Sequence, residues 1–454
     1  VDGNYSGQVF SGKLRVEVSQ ERAKEVSTVL LDNIPESNQY DDGVDTFITG
    51  EDPNNYIWYS GKLWRAVSVN NEAKTTKLVT QWNISAIPYD DDSSAFEGSY
   101  MEEWLNDTTV DGFLGNLRDY ENFIVTDAKW DATEDNRKLD DLTRPDGTTV
   151  VTDAVGLLNM YEYKSTHNEA NYRKSYLLNN LTWWSLTPYD SVNVYGLHSN
   201  GSEVGYYSLN YAVGVRPSVV LKSNVTIVSG SGTVYDPYRL LGDNDEELSG
   251  TLLNTRYSGE YIHFGNAENN LYRIVSHEQV GLTKITSAEP LKENENFISL
   301  AFDTNKGVNY ASSTIYTFLN KEFLTYYLDN NYNNMIENSS IWYIGQVGSA
   351  ESYKLAKYRD GNVTNSVVSK IGLLRLGELM SGQFDTYNDS ITYWTLTLYS
   401  NSVIRTVGRN SNMSDYGSTS SKNSIKPALN LKSNVIITSG DGTKENPFEI
   451  ELLS

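Results

Sequence analysis

Apolar and polar positions near the start of the chain follow two different periods. Leu14, Val16 and Val18 alternate with charged residues, and this period of two predicts a β-strand with one buried face. From Ser19 to Asp32 the apolar residues are spaced as on a helix, and Ser19 is of a residue type that caps helices. We therefore expect residues 1–47 to form an N-terminal extension that consists of a strand and a helix.

The chain then carries a set of patterns that occurs twice in the same order. Residues 56–67 contain two aromatic-rich runs around Ser60-Gly61, which predicts a hairpin, and residues 261–275 contain its counterpart. A further predicted strand follows each hairpin, at 77–80 and at 282–286. Apolar residues at helical spacing come next, at Tyr100, Trp104 and Leu105 in the first half and at Ile315, Phe318 and Leu319 in the second.

The longest internal match lies at the end of each half. Residues 216–240 and 426–450 agree at 12 of 25 positions without a gap, and Trp184 and Trp394 share their offset of 210 residues. Such an offset indicates a tandem duplication of whole domains, because solenoid repeats are only ~20–50 residues long. We predict two copies, residues 48–241 and 251–454, joined by the acidic, glycine-bounded linker 242–250.

Each copy of the matching stretch predicts the strands that close its domain. It contains an apolar run, a Gly-x-Gly turn, and a final run expected to end in an aromatic residue, Tyr238 or Phe448. The turn glycines are expected to supply backbone geometry rather than to hold phosphate, since no helix start follows them.

Composition and charge exclude several classes of function. The chain of 454 residues has no cysteine, which excludes disulfides, thiol catalysis and zinc–thiolate sites. Its formal net charge of −23 argues against nucleic acid and anionic lipid head groups as partners. No run of 18 apolar residues occurs, so we expect no membrane span.

Four short segments recur in the two halves. In the first half they are Leu63-Trp64-Arg65, Gly156-Leu157-Leu158, Trp184 and Gly214-Val215-Arg216-Pro217. In the second half they are Leu271-Tyr272-Arg273, Gly372-Leu373-Leu374, Trp394 and Lys426-Pro427-Ala428-Leu429. In this order they resemble a family of uncharacterised domains found in surface proteins of Firmicutes.

The resemblance implies a fold. The closing pattern of these domains is similar to that of C-type-lectin-like folds, which include the formylglycine-generating enzyme and phage variable receptor-binding proteins. It implies an α+β protein with two tandem C-type-lectin-like domains after the N-terminal strand and helix. The chain departs from the family pattern at Thr187 and Thr397, where an arginine is usual, and at Ser424-Ile425, which precede Lys426-Pro427 in place of Gly-Val.

The motif residues are interpreted as structural. Trp184 and Trp394 could stack on a sugar, but such a tryptophan more often lies in the core with its indole N–H bonded internally. Arg216 and Lys426, each followed by proline, are expected to hold a loop or to pair with a carboxylate. The same interpretation covers the other motif residues, which are Trp64, Arg65, Pro217, Tyr272, Arg273 and Pro427.

Neither a cofactor nor an enzymatic activity is expected. The acidic runs 90–92 and 243–247 could supply oxygen ligands to Ca²⁺, but they lack the alternating acids and the turn glycine of an EF-hand loop. We interpret them as solvated loops, with calcium binding as the alternative. The four histidines share no repeated position, and no Gly-x-Ser-x-Gly elbow occurs.

Two hypotheses about function follow, and both place the chain outside a Gram-positive bacterium, at the cell surface. In the first it is a structural subunit of a filament or pilus-like appendage, a homo-oligomer. The strand at Leu14, Val16 and Val18 would then complete a sheet of a neighbouring subunit, whereas the alternative is pairing within its own chain. In the second hypothesis the chain is an adhesin that binds a glycan or a host protein through its lectin-like domains.

Overall fold

A computed structural model of the protein describes residues 23–109, 111–135, 141–167, 175–198, 204–243, 248–348, 365–381, 391–408 and 416–453. Strands account for 38% of residues and helices for 16%. The α+β class expected from the sequence is therefore confirmed, with sheets as the larger part.

The first copy is built on a sheet of ten strands, which we call its main sheet. Eight of them lie side by side in the order Lys24–Glu25, Thr226–Ser229, Tyr238–Leu240, Tyr56–Tyr59, Lys62–Asn70, Thr76–Thr80, Ser218–Leu221 and Val155–Gly156. The other two, Gln39–Asp41 and Asp45–Ile48, form a hairpin whose second strand pairs with Lys62–Asn70. The hairpin predicted at 56–67 is confirmed, and Ser60 and Gly61 form its turn with φ of 52° and 71°.

The duplicated stretch closes this sheet, although not quite as expected. Gly230 and Gly232 connect its last two strands with φ of 91° and 75°, which confirms that they serve backbone geometry. The expectation that an aromatic residue ends the final strand is wrong, because Tyr238 begins it. A Cβ on Gly232 would lie 2.4 Å from the Tyr238 ring, so the ring covers the turn glycine. The final strand runs parallel to Tyr56–Tyr59, the first strand of the hairpin.

The second copy repeats this arrangement. Its main sheet contains, in order, Tyr261–His263, Leu271–Ser276, Thr283–Ser287, Ala428–Leu431 and Ile371–Gly372. The closing hairpin, Val435–Ser439 with Glu449–Leu452, is joined to it by a parallel bridge between Ile262 and Phe448. The duplication is therefore visible in the strand order as well as in the sequence.

Each copy also has a second sheet. In the first copy its strands are Val204–Ser208, Asn193–Leu197, Trp183–Asp190, Val213–Val215 and Ser85–Ile87. In the second copy they are Ser299–Ala301, Lys422–Ser424, Tyr393–Ser400, Ser340–Gln346, Asn365–Ser369, Val403–Val407 and Tyr416–Ser418. Two small hairpins complete the strands, Ala128–Asp131 with Val150–Asp153 and Lys292–Glu293 with Asn296–Phe297.

The helices are short and lie between the strands. The α-helices are Val26–Asn33, Tyr100–Asn106, Tyr120–Phe123, Met160–Ser165, Thr314–Thr317, Phe323–Tyr326, Asn330–Asn333 and Leu376–Ser381, with a π-helical segment at Phe318–Glu322. The helix predicted around Trp104 and the one predicted around Phe318 are both confirmed. Each begins after a serine, Ser99 or Ser313, whose hydroxyl accepts a hydrogen bond from a backbone N–H of the first turn.

We expect Ser313→Ala to lower the free energy of unfolding by about 1 kcal/mol. Ser313 is buried, and its Oγ accepts from the Tyr316 N–H at 3.1 Å, so alanine would leave that donor without a partner. Urea unfolding of the variant measures the loss. Ser312→Ala is the matched control, because Ser312 is exposed, and a loss of equal size there would contradict the capping role.

The N-terminal segment is integrated into the first copy as far as the structure describes it. Leu14, Val16, Val18 and Ser19 lie outside the described residues. The helix begins at Val26, later than predicted, because Lys24–Glu25 form an edge strand that pairs with Thr226–Ile227. Val26, Leu30 and Ile34 of this segment are buried in the core.

The junction between the copies is held at both of its described ends. Asp243 is buried and accepts a hydrogen bond from the Ser60 backbone N–H at 3.2 Å. On the far side, Gly250 N–H donates to the Ile437 carbonyl at 2.8 Å. Buried apolar side chains of both copies form one continuous cluster.

Candidate functional site

The motif residues lie in the interior of each copy. Those found buried are Trp64, Arg65, Trp184, Arg216, Pro217, Tyr272, Arg273, Trp394, Lys426 and Pro427. Trp184 and Trp394 donate their indole N–H to backbone carbonyls, those of Ile87 and Leu300, each at 2.9 Å. These indoles are core side chains, as the sequence suggested, and their faces are not open to a sugar.

The cations of the closing motif also bind the backbone. Arg216 donates from Nε to the Thr80 carbonyl at 2.8 Å and from Nη1 to the Leu177 carbonyl at 2.6 Å. Burial, and to a smaller extent the nearby Arg65, lowers the pKa of Arg216 to about 9. Lys426 donates to the Ala288 carbonyl at 3.1 Å. The expectation that these residues hold a loop fits this geometry.

An ion pair next to a tryptophan occurs in both copies, buried in the second and half-buried in the first. Lys284 pairs with Glu378, and its Nζ lies 5.4 Å from the ring centroid of Trp342. In the first copy Lys77 pairs with Glu162 beside Trp130 in the same way. The sequence predicted the two strands that carry Lys77 and Lys284, but not the pairing of these lysines with the glutamates.

A cavity of about 190 Å³ lies between the copies. Trp58, Lys62 and Trp82 of the first copy line it, together with Tyr261, Arg273, Lys444 and Glu445 of the second. Trp58 and Tyr261 pack against each other with their ring centroids 6.5 Å apart. A Cβ on Gly61 would lie 2.5 Å from the Ser258 carbonyl oxygen, so glycine in the hairpin turn permits the close approach that forms the cavity.

Two side chains in the wall of this cavity have unusual environments. Trp58 is 4% exposed, and its indole N–H has no hydrogen-bond partner among the described residues. Lys62 is 2% exposed and donates to the Ser60 carbonyl at 3.1 Å. Burial, and to a smaller extent Arg273, lowers the pKa of Lys62 to about 7 against the opposing charges of Asp243 and Glu260.

We expect Lys62→Met to raise the free energy of unfolding at pH 6 by roughly 2 kcal/mol, and by less at pH 9. The pKa of Lys62 is about 7 in the folded chain against 10.5 ordinarily, so the unfolded chain binds more protons between these values. Stability of the unaltered protein therefore rises with pH across that window, while below pH 7 the whole cost of burying the charge is present. Urea unfolding at the two pH values measures the difference, and a gain that is equal at both would contradict it.

A second cavity and a group of three carboxylates are less suited to a ligand. A second cavity of about 430 Å³ includes Lys77, Glu162, Asp45 and Arg144 in its wall, but these charges already pair with each other. The carboxylates of Asp90, Asp91 and Asp92 lie within 4.8 Å of one another. Asp91 and Asp92 are exposed, and exposed carboxylates commonly cluster without a metal, so we assign none to them.

Each second sheet presents a stacked pair of tyrosines at equivalent positions. The ring centroids of Tyr189 and Tyr206 are 4.1 Å apart, and those of Tyr399 and Tyr416 are 4.4 Å apart. Tyr206 and Tyr416 are exposed. These pairs are a second set of aromatic faces that a ligand could contact.

Sequence patterns could not identify the cavity between the copies. Trp58 and Lys62 were recognised only as parts of a hairpin, and Lys444 lies in a loop of the other copy. The sequence signal that could have pointed to the cavity is Trp58, which occupies a position where the second copy has His263. Among the described residues no helix has the length and apolar character needed to cross a membrane. Comparison with protein-family models, with curated proteins and with solved structures gives no match.

Proposed function

We propose that this chain is a non-enzymatic adhesin of the bacterial cell surface, and that its two tandem C-type-lectin-like copies bind a glycan in the cavity between them. The observation that carries this proposal is the wall of the cavity. It contains the aromatic side chains of Trp58, Trp82 and Tyr261, and Trp82 is 36% exposed. Aromatic rings in a concave wall can pack against the faces of a sugar ring.

The duplicated polar residues contact other parts of their own copy, and these structural contacts support a role without catalysis. Arg216 and Lys426 bind backbone carbonyls, and Lys77 and Lys284 pair with the glutamates of their own copies. These side chains stabilise each copy, so the polar groups shared by the two halves are accounted for by the fold. The cavity, in contrast, is formed once and by different residues from each copy.

A glycan array probed with the full chain tests the binding function. We expect signal for at least one class of saccharide, reduced by Trp82→Ala, which removes an exposed aromatic ring from the cavity wall. Tyr206→Ala with Tyr416→Ala is the matched variant on the exposed tyrosine pairs, and we expect it to bind as the unaltered chain does. An array without signal, or signal lost only in the tyrosine variant, would contradict binding in the cavity.

The structural-subunit hypothesis is supported by a different observation. Lys24–Glu25 is the outermost strand of the main sheet of the first copy, close to the start of the described residues. A segment next to a sheet edge is well placed to pair with another chain. In this second proposal the protein forms filaments by donating the strand at 14–18.

Negative-stain microscopy of the purified chain tests filament formation. We expect regular fibres from the full chain and dispersed particles after deletion of residues 1–20, with an unchanged unfolding temperature. Fibres from the shortened chain would show that the strand at 14–18 is not donated. Dispersed particles from the full chain would argue against a structural subunit.

A further inference from the structure

The main sheet of the second copy lacks a hairpin that the first copy has. In the first copy the hairpin of residues 39–48 pairs with the outer part of strand Lys62–Asn70. In the second copy the matching strand Leu271–Ser276 pairs, among the described residues, with Tyr261–His263 and Thr283–Ser287 alone. The edge that the hairpin covers in the first copy therefore has no strand beside it in the described part of the second.

The register of the two sheets identifies the uncovered residues. In the first copy Ser68, which pairs with Lys77 after a shift in register, is the first residue of its strand that lies beside the hairpin. In the second copy Ser276 pairs with Lys284 after the same shift. Residues 276–278 therefore correspond to the part of the first copy that the hairpin covers.

The ring on which this hairpin packs is also missing from the second copy. Phe47 of the hairpin packs edge-on against Tyr161, with ring centroids 5.8 Å apart. Helices Met160–Ser165 and Leu376–Ser381 are equivalent, since the first N–H of each donates to a threonine hydroxyl of the second sheet, at 2.9 Å in both. Gly377 therefore stands where the first copy has Tyr161.

Apolar side chains are exposed beside the uncovered edge. Val280 is 99% exposed, Val368 is 61% exposed and Ile341 is 37% exposed. The Gln279 side chain donates to the Ile341 carbonyl at 2.9 Å, and Ile341 lies opposite Val368 in its strand pair. The three apolar residues thus form one patch next to residues 276–278.

The first copy has polar residues at the equivalent surface. Lys129 directly precedes Trp130, as Ile341 precedes the second tryptophan, and it lies opposite Thr152. Its Nζ donates to the Thr152 hydroxyl at 2.5 Å. Lys129 lines the second cavity together with Asp45 of the hairpin, so this surface lies beside the hairpin. Exposed apolar patches commonly mark an interaction site, and this one occurs in the copy without the hairpin.

The described edge of the first copy offers no partner to the strand predicted at 14–18. Lys24–Glu25 pair antiparallel with residues 226 and 227. The same register, carried toward the N-terminus, would set residues 14–18 opposite residues 233–237. Those residues form the loop between the two closing strands and not a strand.

The predicted strand is suited to a neighbouring molecule. Leu14, Val16 and Val18 alternate with charged residues, so a strand here would present one apolar face. Leu14 lies nine residues before Ala23, where the described chain begins, and an extended chain covers up to ~3.3 Å per residue. The segment can therefore reach roughly 30 Å beyond the edge of its own sheet.

We propose that the strand predicted at 14–18 of one molecule pairs with residues 276–278 in the second copy of another molecule and lays its apolar face on Val280, Ile341 and Val368. The contact takes the place that the hairpin of residues 39–48 has in the first copy. This inference rests on the structural-subunit proposal and names its acceptor. Each molecule carries one donor and one acceptor, so repetition of the contact gives an open filament.

Introduced cysteines test the contact directly, because the chain has none of its own. Full chains with Val16→Cys and full chains with Val280→Cys are mixed and oxidised, and peptide masses identify the disulfides. We expect the bond between these two positions in about tenfold or greater excess over the bond in a mixture of Val16→Cys with Val150→Cys. Val150 is 47% exposed and lies in the equivalent strand pair of the first copy. Equal yields, or no bond to position 280, would overturn the proposal.

A single chain that carries both Val16→Cys and Val280→Cys separates the occupants. We expect a ladder of oligomers on a non-reducing gel. A monomer closed by its own disulfide would show that the segment covers the edge of its own chain, which overturns donation to a neighbour. A bond from position 280 to a cysteine placed at Val44 of the 39–48 hairpin, in preference to position 16, would overturn the proposal as well.

Charges on the patch test whether assembly needs it. We expect Val280→Lys with Val368→Lys to raise the concentration at which fibres form by about tenfold or more, with an unchanged unfolding temperature because both side chains are exposed. Val150→Lys is the matched control and should assemble as the unaltered chain does. Normal assembly of the double variant would overturn the acceptor.

The outcomes separate this inference from the proposal on which it rests. If the full chain forms neither fibres nor the disulfide between positions 16 and 280, the structural-subunit proposal itself fails. If fibres form and are lost on deletion of residues 1–20, but are unaffected by the lysines at Val280 and Val368, strand donation stands and the acceptor named here is wrong.

Discussion

Lys284→Met is expected to lower the free energy of unfolding by about 3 kcal/mol. The side chains of Lys284 and Glu378 are 3% and 8% exposed, and methionine would leave the glutamate buried without its main counter-charge. Arg375 lies 3.7 Å from Glu378 and would compensate in part. Urea unfolding at pH 7 measures the loss.

The double variant Lys284→Met with Glu378→Leu is the control. It removes both charges, so we expect stability within about 1 kcal/mol of the unaltered protein. A double variant as unstable as the single one would show that the lysine acts through packing on Trp342 and not through its charge.

The same ion pair predicts how this loss depends on pH. Burial alone would raise the pKa of Glu378, but Lys284 and Arg375 outweigh it and hold that pKa below 4.5. Its stabilisation is therefore present above pH 4.5 and is lost as pH falls through the lowered value. Glu378 and Glu278 raise the pKa of Lys284 above 10.5 despite its burial. The stabilisation that the charged Lys284 contributes therefore lasts to high pH. The difference between the unaltered chain and Lys284→Met should shrink in acid.

Gly372→Ala is expected to cost about 3 kcal/mol of unfolding free energy. A Cβ at this position would lie 2.2 Å from a ring carbon of Trp342. That indole is fully enclosed and donates its N–H to the Ser369 carbonyl at 3.1 Å, so it cannot move aside without losing the bond. Gly156 meets Trp130 in the same way, at 2.3 Å, and the same loss is expected there.

Gly348→Ala serves as the control for the glycine substitution. Its Cβ would make an ordinary contact, 3.7 Å from the nearest backbone oxygen. We expect a change within about 0.5 kcal/mol in urea unfolding. Equal losses at Gly348 and Gly372 would show that contact with the tryptophan does not set the cost.

The sequence predicted the elements that depend on local pattern. The hairpin at 56–67, the strands that follow it and the helices near Trp104 and Phe318 all lie where periodicity placed them. The helix start at Ser19 was wrong because tertiary pairing holds Lys24–Glu25 extended. The boundary drawn at residue 48 falls at the end of strand Asp45–Ile48, which belongs to the main sheet, since no counterpart in the second half marked it.

The candidate site could not be derived in the same way. Trp58 and Lys62 meet Arg273 and Lys444 through packing of one copy on the other, and no period in the sequence records that contact. The motif residues stood out because they occur twice, and Arg273 is one of them that also lines the cavity. The cavity forms once because the two copies contribute different positions to its wall, such as Lys62 of the first and Lys444 of the second.

In each copy the first strand of the aromatic hairpin pairs in parallel with the end of the copy, and this pairing also limits when that copy can fold. Ile57 pairs beside Tyr238, and Ile262 beside Phe448, so each contact joins residues from opposite ends of its copy. Closing such long loops costs entropy before the contacts form and slows folding. During synthesis the first copy must wait for its closing hairpin to leave the ribosome, and until then its central strands expose unpaired edges.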